Sequence, residues 1–380
     1  MRLLTVFMLF GNYTPEDDAM HWHLMAQNFL KGHGLVIDER RMAYRPPVPG
    51  LYFAAIYAIF GISVRAVQIV NVLLGVFTVW LVYDLVSRIF GVPSARWSAL
   101  LTSFYPTLLL YTGQLLSETP FIMLIALALW LVWLMRDHTA IWFAPVGIVL
   151  GLAVLTRQAG LPIAMLISLW TLCIYPPGGW LRWVSPSLVI LAFLALTLTP
   201  WTIRNYVVLG KFMPLGSAGG LSLWVANNPL ADGTSAGGNR AIPLLETYSE
   251  AEKGAAYQRL AVQFIREDPA RFAQLALRRL LYFWHLGYHG EGFTEVVFLV
   301  VYIPILGLAA IGAWTGWQIN RAAVLLFFTV PVSLTIMHMI FLPEGRYRLP
   351  AELVVCVLAG IGIGQTIWPI GIGSKTTAQR

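Results

Sequence analysis

Asp18 is the residue whose type and position most call for a chemical explanation. It opens a segment that reads as a helix and shares one stripe with Trp22, Met25 and Phe29, at spacings of four, three and four. A carboxylate leading an apolar stripe is costly unless it has a partner or a task. Partial burial would raise its pKa towards the working pH, which suits a general base. Asp17 beside it has a structural role at hand. Thr14-Pro15-Glu16-Asp17 reads as a helix start, with Thr14 as N-cap, Pro15 at the first helical position and Asp17 at the capping-box position. Both aspartates also suit the positive end of a helix. Far along the chain, Glu344-Gly-Arg-Tyr-Arg348 places two cations beside one acid.

Two histidine pairs raise the question of a metal. His21 and His23 fall about 200° apart on a helix and do not readily share one ion. His285 and His289 have the better spacing but no clear third ligand, and metal sites need three or four converging ligands. The expectation is no metal and no cofactor, with a divalent ion not excluded.

The elements that position these residues are set by composition. Of 380 residues, 58% are hydrophobic and 11% charged, where a soluble chain would carry about a quarter charged. Mean hydropathy is +0.70. So large an apolar surplus needs lipid as solvent. The reading is an all-α polytopic membrane protein of about ten spans with two larger outer loops, each span needing about 20 apolar residues. Candidate spans are 65–88, 95–115, 120–135, 140–156, 160–175, 184–203, 294–317, 322–342 and 350–370. Met1 to Phe10 is too short to cross and reads as part of a first span, from a truncated or misassigned start. Residues 270–286 mix apolar and basic side chains and read as an interfacial helix. Cys173 and Cys356 both lie in apolar runs, so no disulfide framework is expected. The +7 net charge is scattered between apolar runs, which speaks for topology and not for nucleic acid.

Short-loop Lys and Arg set the orientation. With Arg2 and the N-terminus inside, the inner turns carry Arg88 and Arg96, Arg136, Arg182, Arg321, then Lys375 and Arg380. Outside fall 12–63, 204–292 and the turns near Glu118, Arg157 and Arg346. The chain thus divides into an N-terminal module, 1–203, that contains the first outer loop; a large outer loop, 204–292; and a C-terminal module, 293–380. Arg346 and Arg348 break the positive-inside pattern, and a basic cluster on the outer side suggests a bound anion.

Several segments in order then resemble a known group. Asp18, Trp22, Ala26-Gln-Asn-Phe-Leu-Lys-Gly-His-Gly34, Arg45-Pro-Pro47, Ser117-Glu-Thr119, Leu155-Thr-Arg157, Thr199-Pro-Trp-Thr-Ile-Arg-Asn205, Asn227-Asn-Pro229 and Gly345-Arg-Tyr-Arg-Leu-Pro350 are similar to the bacterial relatives of the protein O-mannosyltransferases, which include the aminoarabinose transferases. These are glycosyltransferases of the GT-C fold that use lipid-phosphate-linked sugars. The departures are Trp22, where the group usually has Tyr, and Ala19, where the acid pair often continues with Glu.

The resemblance implies transfer of a sugar, with inversion, from a polyprenyl-phosphate donor to an acceptor hydroxyl on a lipid, glycan or protein. It would act at the outer face of the cytoplasmic membrane, with both termini cytoplasmic. Asp18 is then the expected base, with Asp17 and Glu118 as further catalytic acids. Arg346, Arg348, Arg157 and Arg204 are expected to hold the leaving phosphate, since a guanidinium fork makes two hydrogen bonds at once and stays charged. Trp22, Tyr44 and Arg45 are expected to line the substrate cavity. Plainer roles exist: Arg45 snorkelling, Arg204 anchoring at the interface, Arg157 completing a helix end. A transporter or flippase of lipid-linked sugars would use the same cavity without chemistry, but would place its charges nearer the midplane, often in repeated halves. The same outer arginines would also serve a polymerase or ligase of the outer face, or a non-catalytic binder of lipid-linked sugar.

Overall fold

The computed structural model describes residues 1–174, 179–243, 245–284 and 293–367. His285, His289, Lys375, Arg380 and the side chain of Arg182 lie outside the described residues. Within them the regular elements are helices, beside one isolated bridge between Asp38 and Arg41. In lipid this is expected, because a helix satisfies its own backbone polar groups.

The chain opens with α1 (Arg2–Leu9), α2 (Asp17–Leu30) and α3 (Pro47–Phe60). The long run α4 (Val64–Phe104) is broken at Gly91, whose φ of 82° is one that an L side chain rarely adopts. The break falls between the two spans expected over 65–88 and 95–115, with Arg88 and Arg96 flanking it, and the second part ends at Phe104. A short α5 (Pro106–Leu110) leads to α6 (Glu118–Met135), α7 (Ala144–Thr156), α8 (Gly160–Ile174) and α9 (Trp180–Leu209). The long connection after α9 carries α10 (Ala218–Ala226), α11 (Ser235–Asn239), α12 (Glu250–Glu267) and α13 (Pro269–Phe283). The chain returns through α14 (Phe293–Ile319), α15 (Arg321–Ile340) and α16 (Leu349–Ile367). Among the described residues six helices are long and apolar enough to cross a membrane, and three shorter apolar helices accompany them.

The core sits between α4, α6, α7, α8, α15 and α16. In α16, 83% of the apolar window is buried, against 22% in α14, so α16 is central and α14 peripheral. Small residues let α16 approach α4 closely: a Cβ on Gly360 would strike the backbone of Ser98, and one on Gly364 that of Ser94. Ser98 Oγ donates to the Val357 carbonyl at 2.9 Å and Gln365 Nε2 to the Phe90 carbonyl at 2.9 Å.

Three local expectations are corrected. Helix α2 starts at Asp17, with Glu16 as N-cap and no side-chain capping bond; Thr14 and Pro15 stay in the extended approach. The start lies where the ion pairs of Asp18 fix the first turn, and Asp17 takes φ 46° to make the corner. Of the Asp18 stripe, Trp22 and Met25 are buried but Phe29 is exposed. Arg2 is likewise not an inner-side marker. Its guanidinium is buried and donates to the Leu108 carbonyl (2.8 Å), Thr112 Oγ1 (2.6 Å) and the Thr102 carbonyl (3.3 Å), because a charge held within an apolar bundle needs polar partners.

The connection between α2 and α3 is stapled to the segment after α9. Glu250 accepts from the backbone N–H of Met42 (2.6 Å) and Ala43 (3.1 Å) and from Ser217 Oγ (2.6 Å). Arg279 of α13 is fully buried and donates to the Ala226 carbonyl (2.5 Å) and the Met339 carbonyl (2.6 Å), joining the loop to α15.

Candidate active site

Helix direction places one set of helix ends together. Helix α6 begins at Glu118, α7 ends before Arg157, and α16 follows the turn that carries Arg346. The opposite ends carry Arg136 and Arg321. Onto the first set fold α2 and the segment that leads into α3. Pro46 is extended and serves as the N-cap of α3, with Pro47 as its first residue, as the proline pair requires. This fixes the backbone of Arg45 just outside the helix.

Asp18 forms the centre of the cluster so assembled. One carboxylate oxygen pairs with Arg45 Nη2 and the other accepts from Arg346 Nη2 at 2.6 Å. His21, one turn along α2, brings Nδ1 to 3.7 Å of Asp18. Arg346 also donates from Nε to Glu344 at 2.7 Å and lies 3.7 Å from Glu118. Glu118, buried at 2% exposure, has Arg157 Nη1 at 2.7 Å, and Arg157 donates to Ser117 Oγ at 2.9 Å. The Tyr347 ring lies under both guanidinium groups, 4.7 Å from Arg157 and 5.3 Å from Arg346. The Arg45 guanidinium stands 5.6 Å from the Trp22 ring and 5.1 Å from that of Tyr44.

The expected electrostatics of Asp18 are reversed. Burial does push its carboxyl up, but the hydrogen bond from His21 and the charges of Arg45 and Arg346 outweigh it and hold the group well below the usual carboxylate range. Asp18 is therefore a fixed anion at neutral pH. A carboxylate gripped by two guanidinium groups accepts a proton poorly, so no raised pKa fits it for a base.

A cavity of about 120 Å³ opens on the cluster, lined by Asp18, Trp22, Arg45, Arg157, His338 and Tyr347 among others. A larger cleft of about 600 Å³ lies on the far side of His21 and Tyr44, walled by Arg40, Arg41, Lys253 and Tyr257.

Other expected site residues lie apart. Arg348 is buried and committed to Glu352 (2.8 Å) and the Phe283 carbonyl (2.8 Å). Arg204 donates to the Met42 carbonyl (2.7 Å), tying the α2–α3 connection to α9. Asp17 is exposed and belongs to the corner before α2. His21 bonds Arg41 and His23 bonds Tyr57 and Gln27. Among the described residues no three His, Cys, Asp or Glu side chains are grouped so as to hold a metal ion. His338 and Tyr347 escaped sequence reasoning. Tyr347 stands inside the Arg346–Arg348 motif, but a lone histidine in an apolar helix carries no pattern to mark it.

Residues 44–203 match the model of a family described as dolichyl-phosphate-mannose-protein mannosyltransferase. No curated protein matches the chain. Among solved structures, the Archaeoglobus fulgidus oligosaccharyltransferase in the apo form is 13% identical, with a TM-score of 0.59 over 95% of this chain and 49% of its own. The archaeal oligosaccharyltransferase AglB of that organism, in complex with an inhibitory peptide and a dolichol-phosphate, is 15% identical, with a TM-score of 0.60 over 95% and 49%. ArnT from Cupriavidus metallidurans, in the apo state, is 16% identical, with a TM-score of 0.43 over 96% and 76%. The chain spans about half the length of the oligosaccharyltransferase chains it matches. Sequence resemblance and fold thus agree: this is a polytopic helical membrane protein with the fold of the GT-C glycosyltransferases.

Proposed function

We propose that this chain is a glycosyltransferase that moves a sugar from a polyprenyl-phosphate donor to an acceptor hydroxyl, with inversion at the anomeric carbon, on the outer face of the cytoplasmic membrane. One observation carries the reading. Asp18, Arg45, Glu118, Arg157 and Arg346 come from five separate stretches of chain and meet in one ion-pair cluster, of which Asp18, Arg45 and Arg157 line a cavity. Structural ion pairs alone do not call for such convergence on an open space.

In this scheme Arg346 and Arg157 receive the phosphate as it departs, since stabilising charge that develops on a leaving group is usually the largest catalytic contribution. Glu118 orients both. Asp18 holds Arg45 and Arg346 in place and accepts a hydrogen bond from the incoming hydroxyl, which aligns the oxygen without taking its proton. Trp22 and Tyr44 offer rings for the sugar faces, with Arg45 between them. No metal enters the scheme. Basic residues support this sidedness: Arg88, Arg96, Arg136 and Arg321 stand at the ends away from the cavity, and Lys and Arg are in excess on cytoplasmic turns.

The test is transfer from a panel of radiolabelled polyprenyl-phosphate sugars in vesicles, comparing the wild-type chain with Asp18→Asn. Label reaching an acceptor only with wild type supports the scheme. Donor that crosses or binds equally in both, with no transfer, would move the reading to a flippase or binder.

A further inference from the structure

One titratable side chain on the cavity wall has no part in that scheme. His338 stands in the last turn of α15 and is 3% exposed. Its ring is nearly parallel to that of Phe283, with centroids 5.0 Å apart and planes 14° apart, and its centroid is 5.4 Å from that of Tyr347. The ring is therefore held on two sides. Its Nδ1 lies 2.7 Å from the Leu334 carbonyl oxygen. A carbonyl can only accept, so Nδ1 carries the hydrogen. In the neutral ring Nε2 is then left with its lone pair.

Among the described residues no hydrogen bond reaches Nε2. Nε2 is not one of the enclosed side-chain atoms that lack a partner, so its lone pair has open space before it. A histidine inside an apolar helix is ordinarily a packing residue with one backbone bond, and stacking plus the Leu334 bond would satisfy that role. The free nitrogen and the position on the wall are what such a role does not explain. The same cavity is lined by Asp18 and Arg157. Tyr347 links the groups, since its ring contacts His338, Arg157 and Arg346 alike.

The proton of the acceptor hydroxyl needs a destination, and Asp18 is a poor one while two arginines hold it. We propose that His338 is the proton acceptor of the transfer, through Nε2; this rests on the glycosyltransferase reading. The hydroxyl oxygen forms the bond to the anomeric carbon. The bond from that carbon to the phosphate oxygen breaks, and its electron pair stays on the phosphate beside Arg346 and Arg157. The hydroxyl proton passes to Nε2, and the imidazolium later releases it to the departing phosphate or to water. The Leu334 carbonyl fixes the tautomer throughout. The charged and titratable groups around the ring are Arg157 from the end of α7, Arg346 and Tyr347 from the turn before α16, Asp18 from α2, and Arg279 from α13, which bonds the neighbouring Met339 carbonyl. Besides His338, the cavity lining contains no other uncharged side chain with a basic nitrogen.

The experiment uses the full chain in vesicles, with the donor that wild type accepts from the polyprenyl-phosphate sugar panel. His338→Gln keeps a side-chain amide near Leu334, and His338→Ala leaves room for free imidazole. Turnover is expected to fall about a hundredfold or more in both variants. Donor KM, and binding of undecaprenyl phosphate as a probe, should stay within about twofold. Imidazole should restore part of the His338→Ala activity, and the acid limb of the wild-type pH profile should vanish in His338→Gln. Wild-type transfer that survives His338→Gln overturns the assignment alone. So does a loss of turnover that tracks a loss of probe binding, which marks a packing role. No transfer by wild type from any donor overturns the glycosyltransferase reading and this one with it.

Discussion

Asp18 and Arg346 lie 328 positions apart and meet at 2.6 Å, which is why each was legible in the sequence and their pairing was not. A carboxylate on an apolar stripe announces that something faces it; nothing local says what. Both residues predict measurable effects. Asp18→Asn should lower turnover about a hundredfold or more, on the scale of losing one preorganised polar group, while detergent-solubilised protein keeps its helical circular dichroism. Arg346→Lys should weaken both donor affinity and turnover, since an ammonium cannot bridge Asp18, Glu344 and a phosphate in one plane. Arg348→Met should act otherwise. It strands Glu352 in the core and should destabilise the fold by about 3–5 kcal/mol, seen as early thermal aggregation, with no selective change in donor KM. The pH behaviour of Asp18 has a definite sign. Its folded pKa is depressed, so its contribution is fully present above the ordinary value of about 3.9 and is lost only as pH falls through the lower folded value. The difference in melting temperature between wild type and Asp18→Asn should therefore be flat from pH 7 to 5 and shrink below about pH 4.

At the level of elements, hydropathy located most of the bundle. The spans read at 120–135, 322–342 and 350–370 correspond to α6, α15 and α16 within a few residues. Helix ends were less legible. Thr14-Pro15 has the chemistry of a cap, yet α2 starts later, because tertiary ion pairs outweigh a capping bond worth about 1 kcal/mol. Nor could periodicity tell that α16 is enclosed and α14 is not, since both are apolar all round. The glycines of α16 decide it. Gly360→Leu should force α16 away from Ser98 and cost about 1–3 kcal/mol or more, as overpacking does. Its expected signature is loss of monodisperse protein on size-exclusion chromatography, whereas a leucine at Gly307, where a Cβ meets open space, should elute normally.

For the whole molecule, composition was enough to name lipid as the solvent, and alternating basic turns separated the two ends of the bundle. The site was half legible: Asp18, Glu118, Arg157 and Arg346 were identified, while Arg204 and Arg348 were grouped with them because sequence shows which side a cation occupies but not which carbonyl or carboxylate already holds it. The cluster that did form has a property that depends on all its members together. Arg45, Arg157 and Arg346 face Asp18, Glu118 and Glu344, so with His21 uncharged the formal charges cancel. An electroneutral receptor exerts little pull beyond contact range, whatever the excess charge elsewhere on the chain. Capture of a lipid phosphate must then come from its slide along the bilayer and from exchange of partners at the forks, not from long-range attraction. Its dissociation constant should accordingly change little with added electrolyte, even where the screening length contracts from about 30 Å at 0.01 M to about 8 Å at 0.15 M.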